Sequence, residues 1–216
     1  MPTVWRPSMG TGDGEARERL AAVRRRMRPE NELPVSVALD AVLLRGPDLV
    51  VSVRGARAFS TVIEFRLMAA SRVRTAGTVH GLSGALFGHG DPADRLLLGV
   101  EYSDGRRGNN LGGFRGAWES GLDPASPVLL PGGGGGGDRL VDLAVSLSPL
   151  PPPGELRIIA AWPARGLAET VTVLEADVLV DAASRALRLW ELPDEEPLPP
   201  PPPPVPPGSW FDRSQD

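Results

Sequence analysis

Apolar and polar residues alternate with a period of two in at least five segments between residues 33 and 176. Such alternation is typical of β-strands that bury one face and expose the other. The clearest segment covers residues 56–70, where Phe59, Ile63, Phe65 and Leu67 share one face and Glu64 lies on the other. Further strands are predicted at residues 34–44, 49–53, 95–102, 127–130, 139–147, 155–162 and 169–175.

A helical period occurs only towards the two ends of the chain. Residues 178–190 place apolar side chains from Leu179 to Trp190 at helical spacing, and they predict a closing helix. Residues 15–28, EARERLAAVRRRMR, predict a short helix that Pro29 ends. Residues 71–95 are rich in glycine and contain both histidines, so we predict a loop there.

These elements favour an all-β fold, an antiparallel β-sandwich of about seven or eight strands with a short N-terminal helix and a C-terminal helix. The alternative is an α+β fold in which the closing helix packs on an open antiparallel sheet. The predicted organisation has four parts: a disordered start at residues 1–14, an arginine-rich helix at 15–29, the sandwich with its closing helix at 31–190, and an acidic polyproline tail at 191–216.

A run of six glycines, Gly132–Gly137, raises the question of a phosphate-binding loop. A dinucleotide fingerprint needs a glycine turn that leads into a helix, but DRLVDLAVSL follows here with a period of two. A P-loop needs a lysine, and the chain has none. We therefore predict a hairpin loop outside helix and strand. Its possible function is a surface where bare backbone meets a partner closely.

Composition excludes several chemistries. The sequence has no cysteine, and its 23 basic residues are all arginine, which excludes disulfides, thiol nucleophiles, thiolate metal sites and Schiff-base lysines. The net charge of −4 gives no overall attraction to nucleic acid or anionic lipid. No segment approaches about 18 consecutive apolar residues, and the start lacks a signal-peptide pattern. We predict a cytoplasmic protein without a membrane partner.

Several segments carry a resemblance to a known group of proteins. NELPVSVAL, LLLGVEYSDGRR, PVLLPGGGGGGDR, PLPPPGELRIIAAWPARGLAET and AASRALRLW resemble a family of uncharacterised actinobacterial proteins of the Streptomyces type. The resemblance covers roughly residues 31–190 and contains no catalytic motif. It implies a bacterial cytosolic origin and supplies no functional residues.

Candidate catalytic residues concentrate in the segment TVHGLSGALFGHGDPADR. His89 with Asp91 and Asp94 could be read as metal ligands, and Ser83, His89 and Asp91 as a hydrolase triad. The spacing matches no established metal site, and Ser83 is not in a nucleophile-elbow motif. We therefore interpret these residues as loop residues, and we predict no catalytic residue, no metal and no cofactor.

Aromatic and basic residues supply the candidate binding sites. Trp118 lies in a glycine-rich connection, whereas Trp162 and Trp190 are predicted to belong to the core. Trp210 and Phe211 follow a polyproline spacer that would hold them about 28 Å beyond the domain. A basic patch is predicted at four arginines of the N-terminal helix: Arg24, Arg25, Arg26 and Arg28.

The function favoured by these observations is a non-enzymatic interaction or structural module that acts through protein–protein contacts, either with another protein or with a second copy. Its C-terminal polyproline-Trp-Phe tail is the predicted contact. One alternative is an anion- or nucleic-acid-binding protein that uses the arginine-rich helix, although the lack of interleaved aromatics makes nucleic acid an unexpected partner. The other is a small hydrolase with a cleft at His89, Asp91 and Arg106.

Overall fold

Antiparallel strands make up most of the computed structural model, which describes residues 26–74, 81–87, 93–111 and 125–191. The strands are β1 (Glu32–Leu33), β2 (Val35–Arg45), β3 (Leu49–Ala58), β4 (Ile63–Ser71), β5 (Leu97–Tyr102), β6 (Arg107–Asn109), β7 (Val128–Gly136), β8 (Leu140–Ser148), β9 (Glu155–Trp162), β10 (Leu167–Glu175) and β11 (Leu187–Arg188). The helices are α1 (Gly81–Phe87) and α2 (Ala176–Ser184), and a 3₁₀ turn covers Pro163–Arg165.

The strands form two main sheets and one small ribbon. One sheet has five strands in the order β2-β3-β4-β8-β7, and the other has four in the order β10-β9-β5-β6. The ribbon pairs β1 with β11, and every pairing in all three sheets is antiparallel. This arrangement confirms the predicted sheet-rich antiparallel fold, with three more strands than the upper estimate because short pairings such as β1–β11 carry no periodic pattern.

The hydrophobic core lies between the two main sheets. On the five-stranded sheet the inner face pairs Phe65 of β4 with Val145 of β8, and both are buried. The four-stranded sheet contributes the alternate residues of β9, including Trp162, which is fully buried as predicted. Side chains from both sheets and both helices form one continuous apolar cluster. The period of two in the sequence therefore corresponds to burial of one face of each sheet.

The prediction of a single strand at residues 56–70 is wrong, because the chain turns back in its middle. β3 ends at Ala58, the Phe59 amide donates to the Val62 carbonyl at 2.9 Å, and β4 begins at Ile63. The turn is fixed from outside: the Ser60 amide and hydroxyl donate to Glu32 at 2.9 and 2.6 Å. Phe59 and Val62 are both buried like strand residues, so the turn is not visible in the apolar content of the segment, although the two residues are three apart and break the period of two.

The glycine run is also placed differently from the prediction. Gly132–Gly136 continue β7, where Gly134, Gly135 and Gly136 pair with β8 and the register is irregular between Pro131 and Gly134. The chain then turns, and the Gly137 amide donates to the Leu140 carbonyl at 2.9 Å. β8 follows as a strand, so the argument against a glycine turn leading into a helix is confirmed. Cross-strand pairing supplies the backbone hydrogen bonds that make a glycine strand possible.

The two helices differ from the sequence-based expectation. α1 lies within the segment predicted as a loop, where the side chains of Leu82, Ala85 and Leu86 are buried. The closing helix spans Ala176–Ser184, with Arg185 as its C-cap, and is shorter than the helix predicted at residues 178–190. Leu187 then joins β11, and Trp190 is 57% exposed instead of being part of the core. Pairing with β1 overrides the helical spacing of these last residues.

Residues 26–28 are the described end of the predicted N-terminal helix, and they form a non-helical turn. Arg26 is buried, and its guanidinium Nη1 donates to the carbonyls of Ser126 at 2.8 Å and Ser148 at 3.0 Å. The next residue, Met27, is 43% exposed. The segment is therefore attached through an arginine that bridges the chain before β7 and the end of β8.

Candidate partner-binding surface

A buried ion cluster lies on the outward face of the five-stranded sheet. The strand register places Arg57 of β3 beside Glu64 of β4, and Glu64 is only 3% exposed. Arg57 Nε donates to Glu64 Oε1 at 2.8 Å, and Arg28 Nη1 lies 3.5 Å from Glu64 Oε2. A buried carboxylate is unfavourable unless it is paired, so the two arginines compensate for the burial of Glu64.

A groove with a volume of ≈ 270 Å³ opens beside this cluster. Arg66 of β4 and Asp142 of β8 belong to its lining, and both are exposed. Within the described part of the chain neither side chain forms an ion pair or a side-chain hydrogen bond, whereas Glu64 is fully paired. The groove therefore presents one positive and one negative group that are both available to a ligand. The full lining is Arg28, Arg57, Glu64, Arg66, Gly133, Gly134, Asp142, Leu143 and Ala144.

The edge of the sheet next to this groove is the glycine half of β7. Among the described residues β7 pairs only with β8, and Gly132–Gly136 are all exposed. A Cβ atom added at Gly133 or Gly135 would meet no other atom within 4 Å. Gly136 is different, because its φ is +156° and an added Cβ would lie 2.6 Å from the Cα of Val141. Packing inside the chain thus requires glycine at Gly136 but not at Gly133 or Gly135.

A second, shallow depression with a volume of ≈ 440 Å³ lies on the outward face of β2, β3 and β4. Ser52 lines it and is 6% exposed, and its hydroxyl has no hydrogen-bond partner among the described residues. The register places Ser52 beside Met68, and Met68 beside Asp142. The two depressions therefore share one face of the same sheet, and a partner that covers one of them lies close to the other.

Asp94 has a structural role instead of the metal-binding role considered for it. Trp162 Nε1 donates to Asp94 Oδ1 at 2.8 Å, and Arg165 Nε donates to the same oxygen at 2.9 Å. Burial alone would raise the pKa of Asp94, but the hydrogen bonds from Arg165 and Trp162 and the charge of Arg165 outweigh it and hold the pKa below its usual value. The Arg165 guanidinium also lies 5.4 Å from the Trp162 ring centroid.

The other residues of the hydrolase hypothesis do not assemble into a described site. Ser83 lies on α1, and His80, His89 and Asp91 lie outside the described residues. Arg106 is occupied elsewhere, since it pairs with Asp104 at 2.7 Å and donates to the Ala125 carbonyl at 2.7 Å. Within residues 26–74, 81–87, 93–111 and 125–191, no group of three or more acidic, histidine or cysteine side chains could hold a metal ion.

The binding residues predicted from the sequence are only partly within the described chain. Arg26 is buried against two carbonyls, and Arg28 pairs with Glu64, so the structure uses both in contacts within the chain. The remaining members of the basic patch and the aromatic candidates, namely Arg24, Arg25, Trp118, Trp210 and Phe211, lie outside the described residues. The basic patch and the aromatic tail therefore stay predictions.

Arg66 and Asp142 are the site residues that sequence reasoning missed. Both occupy the polar positions of alternating strands, where a charged side chain is ordinarily just a solvated one. β4 pairs with β8, and β8 pairs with β7, so Arg66 and Asp142 lie in one groove beside the glycines. This pairing is the signal that identifies the two residues. Arg66 and Asp142 are 76 positions apart in the sequence, so no local pattern contains this signal.

Comparison with known proteins gives no identification. No protein family matches the chain, and no curated protein or solved structure shows significant similarity to it. The resemblance to an actinobacterial family stays a prediction. In the described part of the chain, neither helix has the length and apolar character needed to cross a membrane.

Proposed function

We propose that this chain is a protein-interaction module that binds an extended segment of another protein along β7. The observation that supports the proposal is the exposed edge strand Gly132–Gly136, where glycine is present at positions that could accommodate a side chain. Glycine within a strand often marks a place where another backbone approaches closely. An added strand would satisfy the backbone groups of this edge.

In the described part of the chain, the outer edge of β7 pairs with no other strand. An edge strand presents a row of backbone donors and acceptors, and proteins usually protect such an edge with charged side chains, proline or a covering element. Pro131 limits only the beginning of this edge, and the five following residues carry no side chain. In strand addition the main-chain hydrogen bonds supply affinity, while neighbouring side chains supply specificity. The groove with Arg66 and Asp142 lies where such side chains would be read.

Two further parts of the proposal come from the sequence. The pair Trp210 and Phe211 is proposed as a second contact with the same partner, at the end of the polyproline spacer. The cytoplasm is the proposed location of the interaction. Both are separable from the edge contact, because a variant of the tail leaves β7 unchanged.

The test uses the full chain on beads and a double variant, Gly133→Lys and Gly135→Lys. These lysines fit the open space at both positions and place charge on the edge, which opposes strand pairing. Proteins captured from a bacterial lysate by the wild type are identified by mass spectrometry. The complex of the best-captured protein is then rebuilt from purified components and studied by amide hydrogen exchange.

The matched control is Val171→Lys with Val178→Lys, which adds two lysines at positions that are 55% and 57% exposed on other elements. We expect the wild type and the control to capture the partner and to show protection of the amides of residues 132–137. The edge variant should lose both. Equal capture by all three proteins, or a complex without protection at β7, would contradict the proposal.

A further inference from the structure

We infer that the segment bound at β7 carries one acidic and one basic side chain, two residues apart on the same face of the strand. This inference rests on the proposed function and adds the chemistry of the partner. The groups that select these charges are Arg66 and Asp142, which face outward on β4 and β8 and form no ion pair within the described residues. A bound strand with complementary charges would pair both groups at once.

The register defines two rows across the outward face. In the first row Arg66 lies beside Ala144, and a Cβ at Gly132 would be 3.4 Å from the Ala144 Cβ, so Gly132 continues this row. In the second row Asp142 lies beside Gly135. The β8 members of the two rows, Ala144 and Asp142, are two residues apart, whereas the β7 members, Gly132 and Gly135, are three apart because β7 has one extra residue in the irregular register between Pro131 and Gly134. A regular added strand spans the distance between the two rows with two residues, as β8 does, and its side chains in the two rows then lie on one face.

The small residues leave an open path between the bound strand and the charges. Neighbouring strands are about 4.8 Å apart, so an added strand would lie about 10 Å from β8 and about 14 Å from β4. Only Gly132 and Ala144 separate it from Arg66, and only Gly135 separates it from Asp142. An acidic side chain in the first row can meet the Arg66 guanidinium over Ala144. A basic side chain in the second row can reach Asp142 across a single glycine.

Charge complementarity favours this occupant over a uniformly acidic or basic segment. The ion cluster beside the first row has two guanidinium groups, of Arg57 and Arg28, and one carboxylate, of Glu64, so its excess positive charge favours an acidic side chain in that row. An acidic side chain in the row of Asp142, or a basic one in the row of Arg66, would bring like charges together across the small residues between them, which is unfavourable. The order of the two charges along the segment is therefore selected together with the direction of the added strand.

The test uses three synthetic heptapeptides and the full chain. The first is Thr-Val-Glu-Thr-Lys-Val-Thr, the second exchanges Glu and Lys, and the third has Gln at both positions. Binding is measured by NMR titration at low salt with the wild type, with the charge-exchanged variant Arg66→Glu, Asp142→Arg, and with the edge variant Gly133→Lys, Gly135→Lys. Arg66 and Asp142 are exposed, so the exchanged variant should keep its fold, which circular dichroism verifies.

We expect the wild type to bind one charge order roughly 2-fold to 10-fold more tightly than the other, which is the range for exposed ion pairs. The exchanged variant should prefer the opposite order, and the edge variant should bind none of the peptides. The inference would be overturned if the wild type bound both charge orders equally, or if the exchanged variant preferred the same charge order as the wild type. In either case, loss of peptide binding in the edge variant would still support strand addition. If the edge variant bound the peptides as tightly as the wild type does, or if no protein bound them, both the inference and the proposed strand addition would be overturned.

Discussion

Replacing Arg26 with alanine should destabilise the fold, although the sequence presents this residue as part of a solvated basic patch. Arg26 is 6% exposed, and its Nη1 donates to the carbonyls of Ser126 and Ser148 at 2.8 and 3.0 Å. These bonds join the residues before β7 to the end of β8. The substitution removes a charged donor from carbonyl groups that have little access to water.

The expected magnitude follows from the number and kind of bonds lost. A hydrogen bond to a charged group contributes about 1.5–3 kcal/mol, and one nitrogen serves both carbonyls here, so the two bonds do not add fully. The loss of the buried aliphatic stem adds to the effect. We expect the free energy of unfolding to fall by about 2–4 kcal/mol. For a chain of this size the melting temperature would fall by roughly 5–15 °C.

Thermal and urea unfolding, followed by circular dichroism, measure this effect on the full chain. The matched control is Arg54→Ala, because Arg54 forms an exposed ion pair with Asp40 at 3.0 Å, with side chains 56% and 77% exposed. Such a pair contributes about 0–1 kcal/mol, so the control should melt close to the wild type. If Arg26→Ala unfolds at the same temperature as the control, the bridge to Ser126 and Ser148 does not contribute to stability and the reasoning is refuted.

Two further predictions concern the glycine strand and the acid stability. Gly136→Ala should lower the free energy of unfolding in urea by about 1–3 kcal/mol, because Gly136 has a positive φ and an added Cβ clashes with the backbone. Gly135→Ala should be neutral or stabilise the fold by up to about 1 kcal/mol. Equal effects of the two substitutions would contradict the distinction between the two glycines. Asp94 has a lowered pKa in the folded state, so its contribution is present above its unfolded pKa and is lost as the pH falls below about 4. Asp94→Asn should therefore flatten the loss of stability with falling pH in that range, and an unchanged slope would show that its pairing with Arg165 is not linked to folding.

Much of the fold could be predicted because the hydrophobic pattern reports burial directly. In β9 the alternate residues Leu156, Ile158, Ala160 and Trp162 are all buried, as the period of two requires. The same pattern fails where a distant contact decides the local structure. The turn between β3 and β4 is held by Glu32, 28 residues before Ser60, and its residues Phe59 and Val62 are buried like those of the strands on either side. The closing helix ends early for the same reason, since β1 supplies the competing partner.

The candidate surface was only partly visible in the sequence. Alternation placed Glu64 and Arg66 on the polar face of their segment, and it placed Asp142 between the apolar residues of β8. These residues meet in one groove because the sheet order is β4-β8-β7. Along the sequence, β4 ends at residue 71 and β8 begins only at residue 140. The sequence context predicts a hairpin loop at the glycine run. Glycine is unfavourable within strands, and pairing with β8 overrides that preference.

The residues before β1 connect the stability of the fold to the composition of the groove. Arg26 fixes the chain against Ser126 and Ser148, and two residues later Arg28 reaches Glu64 and lines the groove with Gly133. A fragment that begins at residue 31 would lose both arginines. Glu64 would then keep only Arg57 as a partner, and the groove would lose one of its positive charges. The arginine-rich segment is therefore tied to the proposed protein-binding surface through Arg28, and removing it alters that surface and the stability of the sheet together.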